Sequence, residues 1–450
     1  MPPHLPNEVL LTIIEVLRSS RSTHERPNGP DYANLSRLCR VSKGFQQVVE
    51  PFLYESIFLR DDELGAFVVA VEHKPYLGSY VKELNVPSDG LTGLTRFWLR
   101  KRLKERQDSA DHSPFRRAIV LALNMLNTCN ANLEGVYLLL LAMLLPEFEV
   151  VHCEPNTEMM KFVAKVDHPG PFPRLQQVYA KGIEPDWEGW GVGMPARLCE
   201  PFLSPTVQIF HGIRVEWLQH IKWRTAERMS LRSVHLGDSL CNGTGMKDLL
   251  SRCPDLETLS ITWADEYLQH VTEGTDFPYY DEIGEALRRY GKNLRELELD
   301  CLQENHSNCD YYRSDEELQQ EYVGSLQELT RLKTLRLPLD ALLGQEMDGT
   351  DGPEEEEHGT KLQAPALTLS HVLPSSLEKL ELMGCSSSEV ERLYVQIHDL
   401  LATGRMAYLR YISVEGCVGR FQSEIAPLGW NASILEHRYM TQKTLLITRN

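Results

Sequence analysis

Apolar residues recur along this chain in two periods. Over the first sixty residues the period is helical. Leu5, Val9, Leu10, Ile13, Ile14, Val16 and Leu17 mark a first segment; Leu35, Leu38, Val41, Phe45, Val48, Val49, Phe52 and Leu53 continue the pattern. This predicts a short helix ending near Leu17, a second opening at Leu35, and a third segment from Gln46 to Phe58. The stripe is wider than one face of a surface helix needs. A unit of about fifty residues cannot bury it all, so part faces the rest of the chain or another protein.

Beyond Leu59 the period changes to that of strands. One phrase recurs with its first leucine at Leu231, Leu256, Leu294, Leu332, Leu377 and Leu409, completed by the pairs Val234/Leu236, Leu259/Ile261, Leu297/Leu299, Leu335/Leu337, Leu380/Leu382 and Ile412/Val414. Looser copies centre on Leu84/Val86, Val136/Leu138 and Val178/Ala180. The last two apolar positions point to the same side of a strand. Leu-x-x-Leu-x-Leu resembles the strand phrase of leucine-rich repeats.

Helical patterns fall between the copies. Phe115 to Cys129 reads as a helix with Ile119, Leu121, Leu123 and Leu126 inward. Met246 to Cys253 stops before Pro254, whose ring cannot continue a helix. Tyr280 to Tyr290 stops at Gly291. Ser314 to Glu317 carries a capping-box pattern that opens a helix to about Thr330, and Ser388 to Thr403 does the same. Strand and helix repeated in one direction predict a parallel solenoid.

The repeats are irregular, with successive first leucines 25, 38, 38, 45 and 32 residues apart. The surplus mostly follows the strand phrase: 181–200, 262–281, 300–313 and 339–365. Equivalent points of a solenoid share an edge, so the insertions predict one rim as the binding surface. Aromatic side chains in those segments, Trp187, Trp190, Trp263, Tyr267, Tyr279 and Tyr280, are the candidate substrate-binding residues. Gln345 to Lys361 holds seven acidic side chains and one lysine, and is expected to be disordered. The positions between the leucines, among them Arg232, His235, Glu257, Arg295, Glu298, Lys333, Arg336, Glu378 and Glu381, predict an inner face of mixed charge. Such a face suits a protein partner or plain solvation.

Composition narrows the function. The formal net charge of −18 and the lack of a dense basic face argue against nucleic acid as a partner. The basic cluster Arg96 to Arg106 reads as a solvated helix face. The apolar run from Gly135 to Pro146 is too short to span a bilayer, and no signal peptide is visible. The ten cysteines include no Cys-x-x-Cys pair, which suits buried thiols in a reducing compartment. Cys301, His306 and Cys309 lie near one another but lack a fourth ligand, so no metal site is assigned. No Gly-x-Ser-x-Gly elbow, phosphate loop or His-Glu-x-x-His occurs. His152, His168, His211 and His220 have no sequence neighbour that makes them catalytic. No cofactor is implied and no catalytic residue is assigned.

The first sixty residues carry a more specific likeness. Leu5-Pro6-x-Glu8-Val9-Leu10, then Leu35-x-x-Leu38-Cys39-x-Val41-Ser42-x-x-Phe45, then Pro51-x-Leu53-Tyr54, resembles an F-box, and the exit Tyr54 to Phe58 resembles the fungal-type members. The sequence departs from that pattern at Ser19 to Asn34, where the first inter-helix loop is longer and more polar. The resemblance implies a three-helix module over residues 1–58 that docks on the Skp-type adaptor of a cullin–RING ubiquitin ligase. It implies a non-catalytic substrate-receptor subunit, cytoplasmic or nuclear. The adaptor-binding candidates are Leu5, Pro6, Val9, Leu10, Ile13, Leu38, Val41, Ser42, Phe45 and Val49, some of which must form the module's own core. The expected architecture is α/β: an F-box followed over 59–450 by an irregular leucine-rich-repeat solenoid with a parallel sheet. The alternatives are a repeat scaffold outside any ligase, and an enzyme with its site in the rim loops.

Overall fold

The computed structural model describes residues 7–19, 32–59, 63–86, 96–108, 114–127, 133–167, 171–182, 193–218, 223, 228–263, 278–301, 322–343, 368–383, 390–415, 428–436 and 443–449. It is a mixed α/β structure with two compact units. One is Met1–Lys181 with Leu198–Val207, the other Gly182–Arg197 with Gln208–Asn450.

The first unit opens with three helices, α1 (Asn7–Ser19), α2 (Tyr32–Cys39) and α3 (Lys43–Glu55). Leu10, Ile14, Leu35 and Val49 form their shared core, with Leu38, Cys39, Phe45, Val48, Phe52 and Leu53 packed around it. Ser42 starts α3 by accepting the Phe45 amide at 3.2 Å. Pro51 lies inside α3, and the helix gives way to β1 (Ser56–Phe58). The chain then alternates: α4 (Leu64–His73), β2 (Glu83–Val86), α5 (Arg96–Asp108), α6 (Arg116–Asn127), α7 (Leu133–Leu144), β3 (Val150–Cys153), α8 (Thr157–Val163) and β4 (Gln177–Lys181). The four strands pair in sequence order, all parallel. Ile57, Leu84, Val151 and Val178 are register partners and make one buried row. The edge-on and offset rings of Phe148, Phe172 and Phe202, 5.2 and 5.6 Å between centroids, fill the same core.

The second unit holds β5 (Met194–Pro195), β6 (Ile209–Ile213), β7 (Val215–Trp217), β8 (Ser233–Cys241), α9 (Gly243–Arg252), β9 (Thr258–Trp263), α10 (Tyr280–Tyr290), β10 (Glu296–Cys301), β11 (Thr334–Pro338), α11 (Leu339–Leu343), α12 (Leu369–Val372), β12 (Lys379–Met383), α13 (Val390–Ala402), β13 (Tyr411–Glu415), β14 (Trp430–Glu436) and β15 (Lys443–Arg449). From β6 to β13 the main sheet is parallel, in the order β6-β8-β9-β10-β11-β12-β13. The antiparallel pair β15 and β14 ends it. One row of register partners, Phe210, Val234, Leu259, Leu297, Leu335, Leu380, Ile412 and Ile447, is almost wholly buried. The second apolar position of each phrase, from Leu236 to Val414, is buried beside it. Both apolar positions of a phrase therefore serve one core, as period-2 alternation requires.

Helices α9 and α10 are held close. Asn242 caps α9 by accepting the Gly245 amide at 2.8 Å. A Cβ at Gly245 would overlap the Trp217 carbonyl, and one at Gly284 in α10 would overlap that of Val323. Asp248 accepts from both Trp217 Nε1 (3.1 Å) and Trp223 Nε1 (2.9 Å) and pairs with Arg252 (2.9 Å), tying α9 to the sheet end.

All six strong phrases and the copies at Leu84 and Val178 lie on strands. The copy at Leu133 does not: it is the start of α7. After Val136 and Tyr137 the run from Leu138 to Leu144 is only Leu, Ala and Met, which favour helix and include no β-branched residue. Residues Val136 to Leu141 are buried all round, as for a helix enclosed by its neighbours. The helix expected to reach Thr330 is absent from 322–330, which are turns and irregular chain; its opening at Ser314 lies outside the described residues. Sequence reading also missed β3, β5, β6, β7 and the closing antiparallel pair. Their segments lack the full phrase.

Candidate functional site

Two surfaces deserve a chemical description: the outer side of the three-helix module and the solvent faces of the sheets. On α1 the inward residues Leu10 and Ile14 leave the other side of the helix to solvent. Val9 is 44 % exposed, Ile13 38 % and Val16 60 %, at i, i+4 and i+7 on one stripe, and Val41 just before α3 is 63 % exposed. Of the expected adaptor-binding residues, Val9, Ile13 and Val41 are therefore surface groups. Leu10 and Val49 are a correction: both are buried in the module's own core and offer nothing to a partner. Leu38 and Phe45 pack half-buried against that core. Ser42 is exposed with its hydroxyl used as a helix cap. Leu5 and Pro6 lie outside the described residues.

The first unit's sheet carries a hydrogen-bonded aromatic cluster on its solvent side. His152 Nε2 meets Glu83 Oε1 at 2.8 Å, and Ser56 Oγ donates to Glu83 Oε2 at 2.6 Å. The imidazole stacks on Tyr179 at 4.4 Å, with Phe58 tilted against it at 5.5 Å. The bond from His152 holds the Glu83 carboxyl below its ordinary range, against an opposing push from burial. Burial and the nearby Glu83 charge raise the Tyr179 phenol. The carboxylate sits between serine and histidine, so the imidazole does not touch the hydroxyl and the serine–histidine–carboxylate order of a catalytic triad is not formed by these three residues.

The second unit's sheet carries rows of paired charge. One register row runs His211, His235, Ser260, Glu298, Arg336, Glu381 and Ser413. His211 and His235 stack at 4.6 Å. Burial lowers the His235 pKa, opposed by Glu298 and Glu296. Arg336 is the hub: it reaches Glu298 at 3.1 Å, Asp300 at 3.5 Å and Glu415 at 3.6 Å, while its Nε donates to Met383 Sδ at 2.9 Å. This face is rich in carboxylate towards the ends of the strands.

The opposite edge, where the strands begin, differs. The residue after each first leucine joins a continuous backbone ladder from Arg232 through Glu257, Arg295, Lys333, Glu378 and Arg410 to Arg449. Glu257 lies 3.4 Å from both Arg232 and Arg295, and Lys333 Nζ lies 2.8 Å from Glu378. The Lys333 hydrogen bond keeps the Glu378 carboxyl below its ordinary range. Below this edge Arg295, Arg331, Lys333, Glu378, Ser376 and Tyr408 border a groove of about 470 Å³.

The rim aromatics are placed unevenly. Trp187, Trp190 and Tyr267 lie outside the described residues. Trp263 is a correction: it is fully buried, and its Nε1 donates to the Cys241 carbonyl at 3.0 Å. The alternation Leu259, Ile261, Trp263 runs to the last residue of β9, a signal the sequence contained. Tyr279 and Tyr280 are half-buried at the start of α10, with Tyr280 edge-on to Trp263 at 6.2 Å. The basic edge was legible only in part, because Arg449 enters it from the antiparallel β15, which carries no phrase.

Among the described residues no three metal-ligating side chains converge, and no helix is long and apolar enough to cross a membrane. Cys153, Cys199, Cys241 and Cys253 are buried free thiols; burial raises all four, Cys253 to about 12. Such thiols are poor nucleophiles at neutral pH. No protein-family model matches the chain, and no curated protein matches it significantly.

Proposed function

We propose that this chain is the substrate-receptor subunit of a Skp–cullin–F-box ubiquitin ligase. The three-helix module docks the Skp-type adaptor and, through it, the cullin, and the repeat sheet holds a protein target. The work is positional: a target held near the conjugating enzyme reacts faster because its encounter becomes intramolecular. The chain then needs no catalytic group or cofactor of its own, and acts in the cytoplasm or nucleus.

The observation that carries this reading is the sorting of apolar residues on α1. Leu10 and Ile14 complete the core, while Val9, Ile13 and Val16 remain exposed at helical spacing. An exposed apolar stripe of this kind fits helix-mediated docking. The match of Leu5 to Tyr54 to the F-box pattern supports the same partner.

Co-purification of the full chain with the adaptor and cullin tests it. The wild type is expected to capture both. A Val9→Asp, Ile13→Asp variant is expected to lose both while keeping its circular dichroism spectrum, because neither side chain belongs to the core. A folded wild type that captures neither partner overturns the ligase reading and leaves a repeat scaffold.

A further inference from the structure

We propose that the edge where the second unit's strands begin is a docking groove for an acidic, carboxylate-rich peptide segment of a partner protein. Calling that partner the ligase's target rests on the receptor reading; the groove itself does not.

The edge is positive within an acidic protein. The chain carries a net −18, yet the edge ladder holds five cations, Arg232, Arg295, Lys333, Arg410 and Arg449, against two carboxylates, Glu257 and Glu378. Three positive charges are in excess along that one line. Each carboxylate is already engaged: Glu257 with Arg232 and Arg295, Glu378 with Lys333 and with the field of Arg410. Arg331 adds another cation from the turn before β11. Further along the same strands the balance reverses, since Arg336 faces Glu298, Asp300, Glu381 and Glu415 on the solvent face. A positive edge beside a negative face orients an acidic ligand as well as attracting it.

The edge is also built. Asn293 Nδ2 donates to the Pro254 carbonyl at 2.8 Å, Arg331 Nη1 donates to Asn293 Oδ1 at 3.0 Å, and Ser376 Oγ donates to the Leu332 carbonyl at 2.8 Å. These bonds staple successive turns, so Arg331 is presented in a fixed place. Tyr408, 61 % exposed, supplies an apolar wall to the groove.

Spacing selects a peptide. Neighbouring strands lie about 4.8 Å apart, so Arg295, Lys333 and Arg410 span roughly 14 Å, the length of about four extended residues. Alternate side chains of a strand-like peptide, about 6.8 Å apart, can meet cations and pass Glu378. A nucleic acid carries its charge far beyond this short edge, where the chain's net −18 repels it; a short acidic peptide meets only the local cations.

The test is fluorescence anisotropy on the full chain with a labelled peptide of alternating glutamate and serine. Its counterpart has glutamine for every glutamate. The glutamate peptide is expected to bind at least about tenfold tighter, with affinity falling as salt rises. An Arg295→Glu, Lys333→Glu variant with unchanged circular dichroism is expected to lose about tenfold. An Arg117→Glu variant, altered on the first unit's surface, is expected to bind like wild type. Equal binding of the glutamine peptide, an equal loss in Arg117→Glu, or tighter binding of single-stranded RNA than of peptide overturns the proposal. Adaptor capture by the Arg295→Glu, Lys333→Glu variant separates the two readings. Adaptor captured by a wild type that ignores the peptide sinks the groove alone; peptide bound without adaptor capture sinks the receptor reading alone.

Discussion

The two sheets are built on one plan and finished differently. In the first unit four parallel strands are separated by one to three helices each, and the solvent side is closed by a small cluster of His152, Tyr179, Phe58 and Glu83. In the second, seven parallel strands in register carry charged residues paired across the ladder, with Arg336 shared among three carboxylates. An aromatic cluster is satisfied locally and leaves little for a partner. A row of charges repeats with the strands and extends as far as they do, and this is the sheet to which the proposed target docking is assigned.

The largest effect that would sharpen this contrast comes from the shared core row. Leu297→Ala removes a fully buried side chain from the middle of the second sheet, at an expected cost of about 3 kcal/mol. Hydrogen exchange should show the loss first in β9, β10 and β11, because β10 pairs directly with β9 and β11. Uniform loss along β6 to β13 would contradict local coupling between paired strands.

Gly284→Ala should cost about 2 kcal/mol, because a Cβ there meets the Val323 carbonyl and the helix or the loop must shift. Thermal unfolding checks it, and an unchanged midpoint would mean that the close approach is not needed.

Arg336→Ala should destabilise by about 1 kcal/mol, since it leaves Glu298, Asp300 and Glu415 facing one another. Breaking His152 from Glu83 by His152→Gln removes only a local bond. A larger loss from His152→Gln would invert the comparison of the two faces.

The smallest effects are in pH dependence, and their windows differ. His235 has a folded pKa below its ordinary value of 6.5. The unfolded chain takes up the proton first, so this contribution is complete above the ordinary value and is lost as pH falls through the folded one. Glu83 is also lowered, from 4.5; its contribution is present above that value and is lost as pH falls further. Unfolding followed against pH should thus weaken near His235 first and near Glu83 later. His235→Gln should flatten the first step and Glu83→Gln the second; a single step insensitive to both would refute the assignment.

The same contrast explains what the sequence could reveal. The second sheet was legible from β8 to β13, where every strand repeats the full phrase and each apolar pair faces one core; β5, β6, β7 and the closing pair lack the phrase and were not. The first was legible only in part: the phrases at Leu84 and Val178 lie on strands, but the one at Leu133 belongs to α7, and a continuous apolar run has no periodicity to separate strand from buried helix. On α1 the sequence named Val9, Leu10 and Ile13 alike, and only packing against Leu35 and Val49 separates the buried leucine from its exposed neighbours. Trp263 shows the reverse error: its alternation with Leu259 and Ile261 marked it as core, yet its place at a strand end drew it into the rim. The basic edge needed register, which sets side by side residues far apart in the chain.

The most direct test of the central claim is the affinity of the purified Skp-type adaptor for the full chain, measured by isothermal titration calorimetry on wild type and on Val9→Asp, Ile13→Asp. The account predicts stoichiometric binding by the wild type and at least about a hundredfold weaker binding by the folded variant. Equal affinity in both would place the adaptor elsewhere on the chain. No binding by a folded wild type would end the receptor reading.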